Sequence, residues 1–483
     1  MKSNRHSAAA VFSSTMCVLA ATALLAAASP AAAQVAPEVT DVTFNKDIAP
    51  ILQRSCQRCH RPESVAPMSL LTYEDARPWA RSIKHRTGLR DKPEAMPPWY
   101  IEKNVGIQRF KGDLSLTEEE IAKIAWWADN GAPRGNPADL PPPLEFTAAS
   151  EWQIGEPDLV LSSPDIEVAA RAPDWWGPAG EGLTGLTEDR YVAAIEMKEI
   201  NNAEPTPNKK TVGGTYVIHH MVLTALDADG KPAEDAATTA GWPVHEVGRN
   251  ADFFHPEAGR LLKAGSKFYF PSAHLHSNGR HTIARLDIGL KFHPRGYEPK
   301  FDLKRVGPST PYIDLKGMEA GQQFEALAPL MENTMLTIFE PHLHAAGVRM
   351  CLEAVYGSQV ETLNCAGYNH SWVTVYTYQD DAAPLLPKGT ILRTRAWFDT
   401  TPANKNIADP RNWTGMGHRS VDQMLLHLGR GIELSDEEFE LAMAERIEQL
   451  DLQPGQVIPG CPLCPLSGAS NASEATDADG DQQ

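Results

Sequence analysis

The sequence predicts a multidomain protein, a small all-α domain followed by two all-β sandwiches, and three observations carry that expectation. At 483 residues the chain is too long for one ordinary domain. Its 38 prolines and 35 glycines are spread along the length, which suits short strands and turns better than long helices. The texture also changes near residue 150, from helical spacing to short β-branched and apolar runs set between Gly, Pro and Asn clusters.

The helical part comes first. Residues 45–57 place Ile48, Ile51 and Leu52 on one face, and 73–85 form a second candidate helix. A third begins at Thr117, whose hydroxyl can cap the helix while Glu120 reaches back. It runs through Ile121, Ile124, Ala125 and Trp126 to a left-handed stop at Gly131. The Pro-rich stretch 135–143 reads as a linker. Strand-like runs then recur at 191–197, 215–223, 267–270, 283–292, 335–339, 348–355 and 374–378. This spacing argues for antiparallel sandwiches, and roughly 280 residues suffice for two of about 140 each. The chain closes (433–483) with an amphipathic helix at 435–450 and an acidic, polar tail expected to be disordered.

The N-terminus has a basic start at Lys2 and Arg5, an alanine-rich apolar run, and Ala31-Ala32-Ala33 before Gln34. That is the pattern of a secretory signal over 1–33. No other stretch approaches the roughly 20 apolar residues of a membrane helix. The mature chain is therefore expected to be periplasmic or secreted, with no membrane span. A net charge of −18 without a basic stripe excludes nucleic acid as a partner. Beyond the signal, the cysteines fall into three close pairs: 56/59, 351/365 and 461/464.

Cys56-Gln57-Arg58-Cys59-His60 spaces two thiols so that both can add to haem vinyl groups, with His60 falling on the iron. A zinc or redox dithiol is the competing use of such a pair. With three helices over about 100 residues, the expectation is one covalent c-type haem in a small cytochrome c domain over 34–145. Met96, in Ala95-Met96-Pro97-Pro98-Trp99, is the candidate sixth ligand, ahead of Met68 and His85. The later Cys461-Pro462-Leu463-Cys464 has no following His and reads as a small disulfide loop.

Histidines cluster in the β-rich part. His219 and His220 are adjacent, and adjacent strand residues face opposite ways, so both reach one metal only where the strand twists or bulges. His274 and His276 follow, and later His342 and His344, each pair at a spacing that puts both imidazoles on one side of a strand. His245, His255, His281 and His293 read as ordinary core or surface residues. Imidazole with an added thioether favours copper over zinc.

In this order over roughly 150–430, these motifs resemble the copper type II, ascorbate-dependent monooxygenases, the family of the peptide-amidating hydroxylase and dopamine β-monooxygenase. Bacterial proteins with a cytochrome c domain ahead of that module are similar to the whole chain, including Met96-Pro97-Pro98-Trp99. The resemblance implies two jelly-roll domains, 146–305 and 306–432, each holding one of two copper ions across an open cleft. It implies a first copper on His219, His220 and His274, with His276 the rival for the third place. It implies a second, catalytic copper on His342, His344 and Met424, with Met416 the rival. The implied activity is O2-dependent hydroxylation of a C–H bond in a small molecule, the haem passing electrons from an external donor or acceptor protein. Two departures matter. Only Cys351 and Cys365 lie in this module, where animal members carry several disulfides. Glu340 stands where peptide-amidating relatives hold the substrate carboxylate with Arg, so peptidyl-glycine is a poor substrate. A copper and haem dehydrogenase passing electrons from substrate to haem, and a non-catalytic electron-transfer or copper-binding protein, are the alternatives.

Overall fold

The computed structural model describes residues 40–62, 64, 66, 68–146, 151–203, 216–232, 242–246, 251–301 and 303–465. The expected signal segment and acidic tail lie outside the described residues.

Helices near the start are few and short. A π turn, Phe44–Ile48, leads into the helix Ala49–Ser55, and Tyr73–Ala76 and Ala80–Thr87 are joined by a 3-10 turn. The helix Glu118–Asp129 has its capping box, with the Thr117 hydroxyl accepting from Glu120 N and the Glu120 carboxylate accepting from Thr117 N. Gly131 follows at φ +81°, the left-handed conformation that ends the helix without a side-chain penalty. Phe44, Ile48, Leu52, Leu70, Ile124 and Trp127 share a buried cluster.

These helices do not make the small all-α cytochrome c domain that the sequence predicts. The chain bends at Pro97 and Pro98, with Trp99 N donating to Pro97 O at 2.8 Å, and the apolar residues after them leave the helical cluster for the second sandwich. Ile101 bridges Ala366 and Phe110 bridges Tyr378, while Ile107 N donates to Leu363 O at 2.9 Å. Trp99, Ile101, Ile107 and Phe110 are buried in one core with Phe339, Leu352 and Tyr378. The contact is close enough to require glycine, since a Cβ at Gly367 would meet Asp91 O at 1.9 Å. The described chain from residue 40 onward falls within one compact unit. Apolar segments that would have walled a separate helical domain are spent on a sheet.

The rest is antiparallel sheet, compatible with the two sandwiches expected. In the first, Thr282–Phe292 and Arg190–Asn201 are the central strands of one sheet, and Lys267–Leu275 and Ile218–Leu226 of the other. Val192, Ile195, Ile288 and Leu290 from one sheet meet Met221, Leu223, Phe268 and Phe270 from the other in a shared core. In the second, a sheet ordered Ala320–Pro329, Ile391–Asp399, Gly347–Tyr356, Gln359–Gly367 faces shorter strands, among them Arg430–Leu434 and Asn333–Leu336. Cys351 and Cys365 are directly opposite in that sheet and disulfide-bonded, as are Cys461 and Cys464 near the end. The final helix, Asp436–Gln449, carries the capping box of Ser435 and Glu438 and packs Phe439 and Met443 under Ile432.

A buried ion pair ties the sandwiches together. Arg430 Nη2 of the second donates to Asp252 Oδ1 of the first at 2.5 Å, with both side chains at most 5% exposed. Among the described residues no helix is long and apolar enough to cross a membrane.

Candidate metal centre

His219 and His220 share a face because the ladder breaks at them. Strand Ile218–Leu226 pairs with Lys267–Leu275 so that His220 lies opposite His274, but Leu275 lies opposite Ile218. His219 is therefore an extra, unpaired residue, a β-bulge of the kind the sequence requires if both rings are to reach one metal. The candidate ligand atoms of His219, His220 and His274 lie within 4.8 Å of one another. His276 stands further out, its ring 5.7 Å from that of His219 against 4.8 Å for His274. Trp176 stacks on His274 at 4.7 Å. Both nitrogens of His274 are engaged, Nε2 with Asp174 Oδ2 at 3.1 Å and Nδ1 with the Ser420 hydroxyl at 3.0 Å.

His342 and His344 flank Leu343 on the short strand Pro341–Leu343, their rings 5.5 Å apart. Met424 directly precedes the partner strand Leu425–His427, in which Leu425 lies opposite Leu343 and Leu426 opposite His342. Met416 is largely exposed. His344 Nδ1 takes the carbonyl of Asp422 at 3.2 Å. His342 Nδ1 is 3.4 Å from Glu246 Oε1, an ion-pair distance without hydrogen-bond alignment. Glu246 belongs to the first sandwich, opposite His220 in register.

The two histidine groups converge rather than facing each other across an open cleft. His219, His220, His342, His344 and Glu246 line one cavity of about 20 Å³, room for little more than a water-sized molecule. His370 joins them, a ligand-type residue that sequence reasoning missed because it stands alone in the loop after Gln359–Gly367, with no partner at strand spacing. Its ring lies 5.3 Å from that of His219 and 6.0 Å from that of His344. The buried Nδ1 atoms of His219, His342 and His370 have no hydrogen-bond partner. Burial lowers the imidazoles, His219 to about 4 and His344 to about 3, with His220 and His370 well below the usual value, and neighbouring imidazoles add to the shift. Neutral rings with unpartnered nitrogens are what a soft or borderline divalent metal requires.

The Cys56–His60 turn brings two unbonded cysteines next to a buried imidazole. Cys56 and Cys59 are free thiols, Cys56 pushed up to about 12 by burial. His60 is buried, and its Nδ1 lies 3.2 Å from Met68 O, which engages one of its two ring nitrogens. Cys59, Arg58 and Arg61 line a cavity of about 660 Å³, within the usual span of cofactor pockets of roughly 300–1,000 Å³. Met96 lies on a neighbouring cavity of about 300 Å³, with Trp99 walling both. The larger cavity reaches Trp372 and Val373, and Val373 also lines the histidine cavity. The loop carrying His370 is tied to the segment leading from the thiols, since Asn369 Nδ2 donates to Tyr100 OH at 3.2 Å and the Thr374 hydroxyl to Pro98 O at 3.1 Å.

No family model matches the chain, and no curated protein matches it. Among solved structures, one of infectious bursal disease virus, Gx strain, aligns with 58% of this chain and 73% of its own. At 7% identity and a TM-score of 0.16 that likeness carries no argument.

Proposed function

We propose that the chain is an exported oxidoreductase carrying one covalent haem and two copper ions, and that it hydroxylates a C–H bond of a small molecule with O2. The observation that carries this reading is the convergence of two sequence-distant histidine pairs and His370 on one small cavity with orphaned ring nitrogens, with His274 grouped beside the first pair. His219, His220 and His274 would hold one copper, and His342, His344 and Met424 the other. Copper so bound supplies one-electron chemistry toward O2. Cys56, Cys59 and His60 would hold the haem, with Met96 the candidate sixth ligand.

The chain's own residues do the rest. Neutral imidazoles offer lone pairs without displacing a proton, and Glu246 supplies a negative charge beside His342. The tight space at the histidines excludes bulk water, which strengthens every electrostatic contact within it. An organic substrate does not fit there; it would approach from the large cavity, past Val373. The hydrogen bond from Asn369 to Tyr100 OH joins the loop carrying His370 to the segment after Met96, and a haem held near that segment would supply electrons toward the cluster.

Metal analysis of the purified, copper-replete protein tests the reading. Haem iron with copper is expected, and His344→Ala or Met424→Ala should lower the copper content while leaving the haem spectrum unchanged. Haem iron without copper sinks the proposal. Substrate-dependent O2 uptake separates an oxygenase from a dehydrogenase, which would instead reduce the haem under nitrogen.

A further inference from the structure

We infer that His370 is a fourth imidazole on the metal held by His219, His220 and His274, so that this metal cross-links the two sandwiches. The inference rests on the copper reading above and adds to it a ligand from the opposite sandwich.

Distance supports the assignment through His219. With metal–nitrogen bonds of about 2 Å and an imidazole radius of about 1 Å, two rings sharing a metal at a tetrahedral angle have centroids roughly 5 Å apart. His219 is 4.8 Å from His274 and 5.3 Å from His370, both near that value. His344 of the second group stands further from His370, at 6.0 Å, the separation that His220 and His274 also show. His370 thus sits closer to His219 of the first sandwich than to His344 of its own.

Satisfaction of polar atoms points the same way. Nδ1 of His370 and Nδ1 of His219 are both buried and without partners. An imidazole nitrogen left so inside a protein is unfavourable, and a shared metal satisfies both rings at once. The loop is fixed to present the ring: Asn369 is hydrogen-bonded to Tyr100 on one side and accepts from Ser371 N on the other. Three ligands from one sandwich and a fourth from the other make metal binding and closure of the joint a single event.

The consequence is testable on the full-length haem protein, titrated with Cu(II) against a chelating competitor. His370→Ala should weaken one copper site roughly 100-fold, since even groups that only orient ligands are worth about 10–100-fold. His370→Asn, which retains a polar group of similar reach, checks that the apo protein keeps its melting temperature. Pairing identifies the shared metal. Combined with His219→Ala, the His370 change should add little further loss, because both residues act on one site, whereas with His344→Ala the two losses should add. The nitrogen hyperfine pattern of the first site should lose one imidazole in His370→Ala. Unchanged affinity, or coupling to His344 in place of His219, overturns the assignment. Wild-type protein that takes up no copper at all overturns this inference together with the reading beneath it, and is distinguished by the wild-type titration alone.

Discussion

The two histidine groups rest on unlike supports. His219, His220 and His274 stand on nine-residue strands at the heart of the first sandwich, among fully buried Ile218, Met221 and Ala273. A bulge in a long ladder sets their directions, so the geometry is stored in backbone hydrogen bonds. His342 and His344 stand on a three-residue strand, and His342 leans on Glu246 from the other sandwich. The first group is built largely within its own sandwich, while the second is completed at the joint. A rigid site suits a group that holds one geometry through a redox cycle. A site assembled at a joint suits a group that must admit other molecules.

Loosening the joint gives the largest effect. Asp252→Ala would leave Arg430 buried without its carboxylate, and breaking such a pair costs about 3–5 kcal/mol. Denaturant unfolding should show that loss. Copper titration should show the second site weakened more than the first, because His219, His220 and His274 keep their common strands. Equal weakening of both sites removes the distinction drawn above.

Glu246→Gln acts on one group only. It preserves the shape beside His342 and removes the charge, so the second site should lose roughly 10–100-fold in copper affinity. The first site should be little changed, although Glu246 lies opposite His220 in the ladder. A larger loss at the first site would mean that the carboxylate serves His220 instead.

What the sequence made legible was local. Thr117 with Glu120, the hairpin pair Cys351 and Cys365, and the need for a bulge at His219 are all set by neighbours in the chain or across one ladder. The independence of the helical segment was not local. Trp99, Ile101 and Phe110 read equally well as the wall of a haem domain or as the edge of a sheet, and only the partner strand around Ala366 and Tyr378 decides. His370 was invisible for the same reason. Its role follows from a loop meeting another sandwich, a contact of long sequence separation that no periodicity announces.

The smallest effect bears on which nitrogen of His274 faces the metal. Asp174 accepts at Nε2, a carboxylate partner of the kind that orients metal-binding histidines, which leaves Nδ1 as the ligating atom. Ser420, from the second sandwich, now donates its hydroxyl to that Nδ1 and so competes with a metal. Ser420→Ala should therefore tighten copper at the first site by about 1 kcal/mol, roughly fivefold, the net worth of one hydrogen bond. Asp174→Asn should act in the opposite sense, because it removes the charge that steadies the ring. If the signs are reversed, Nε2 is the ligand and Ser420 the orienting group, a second tie of the first site to the opposite sandwich beside His370.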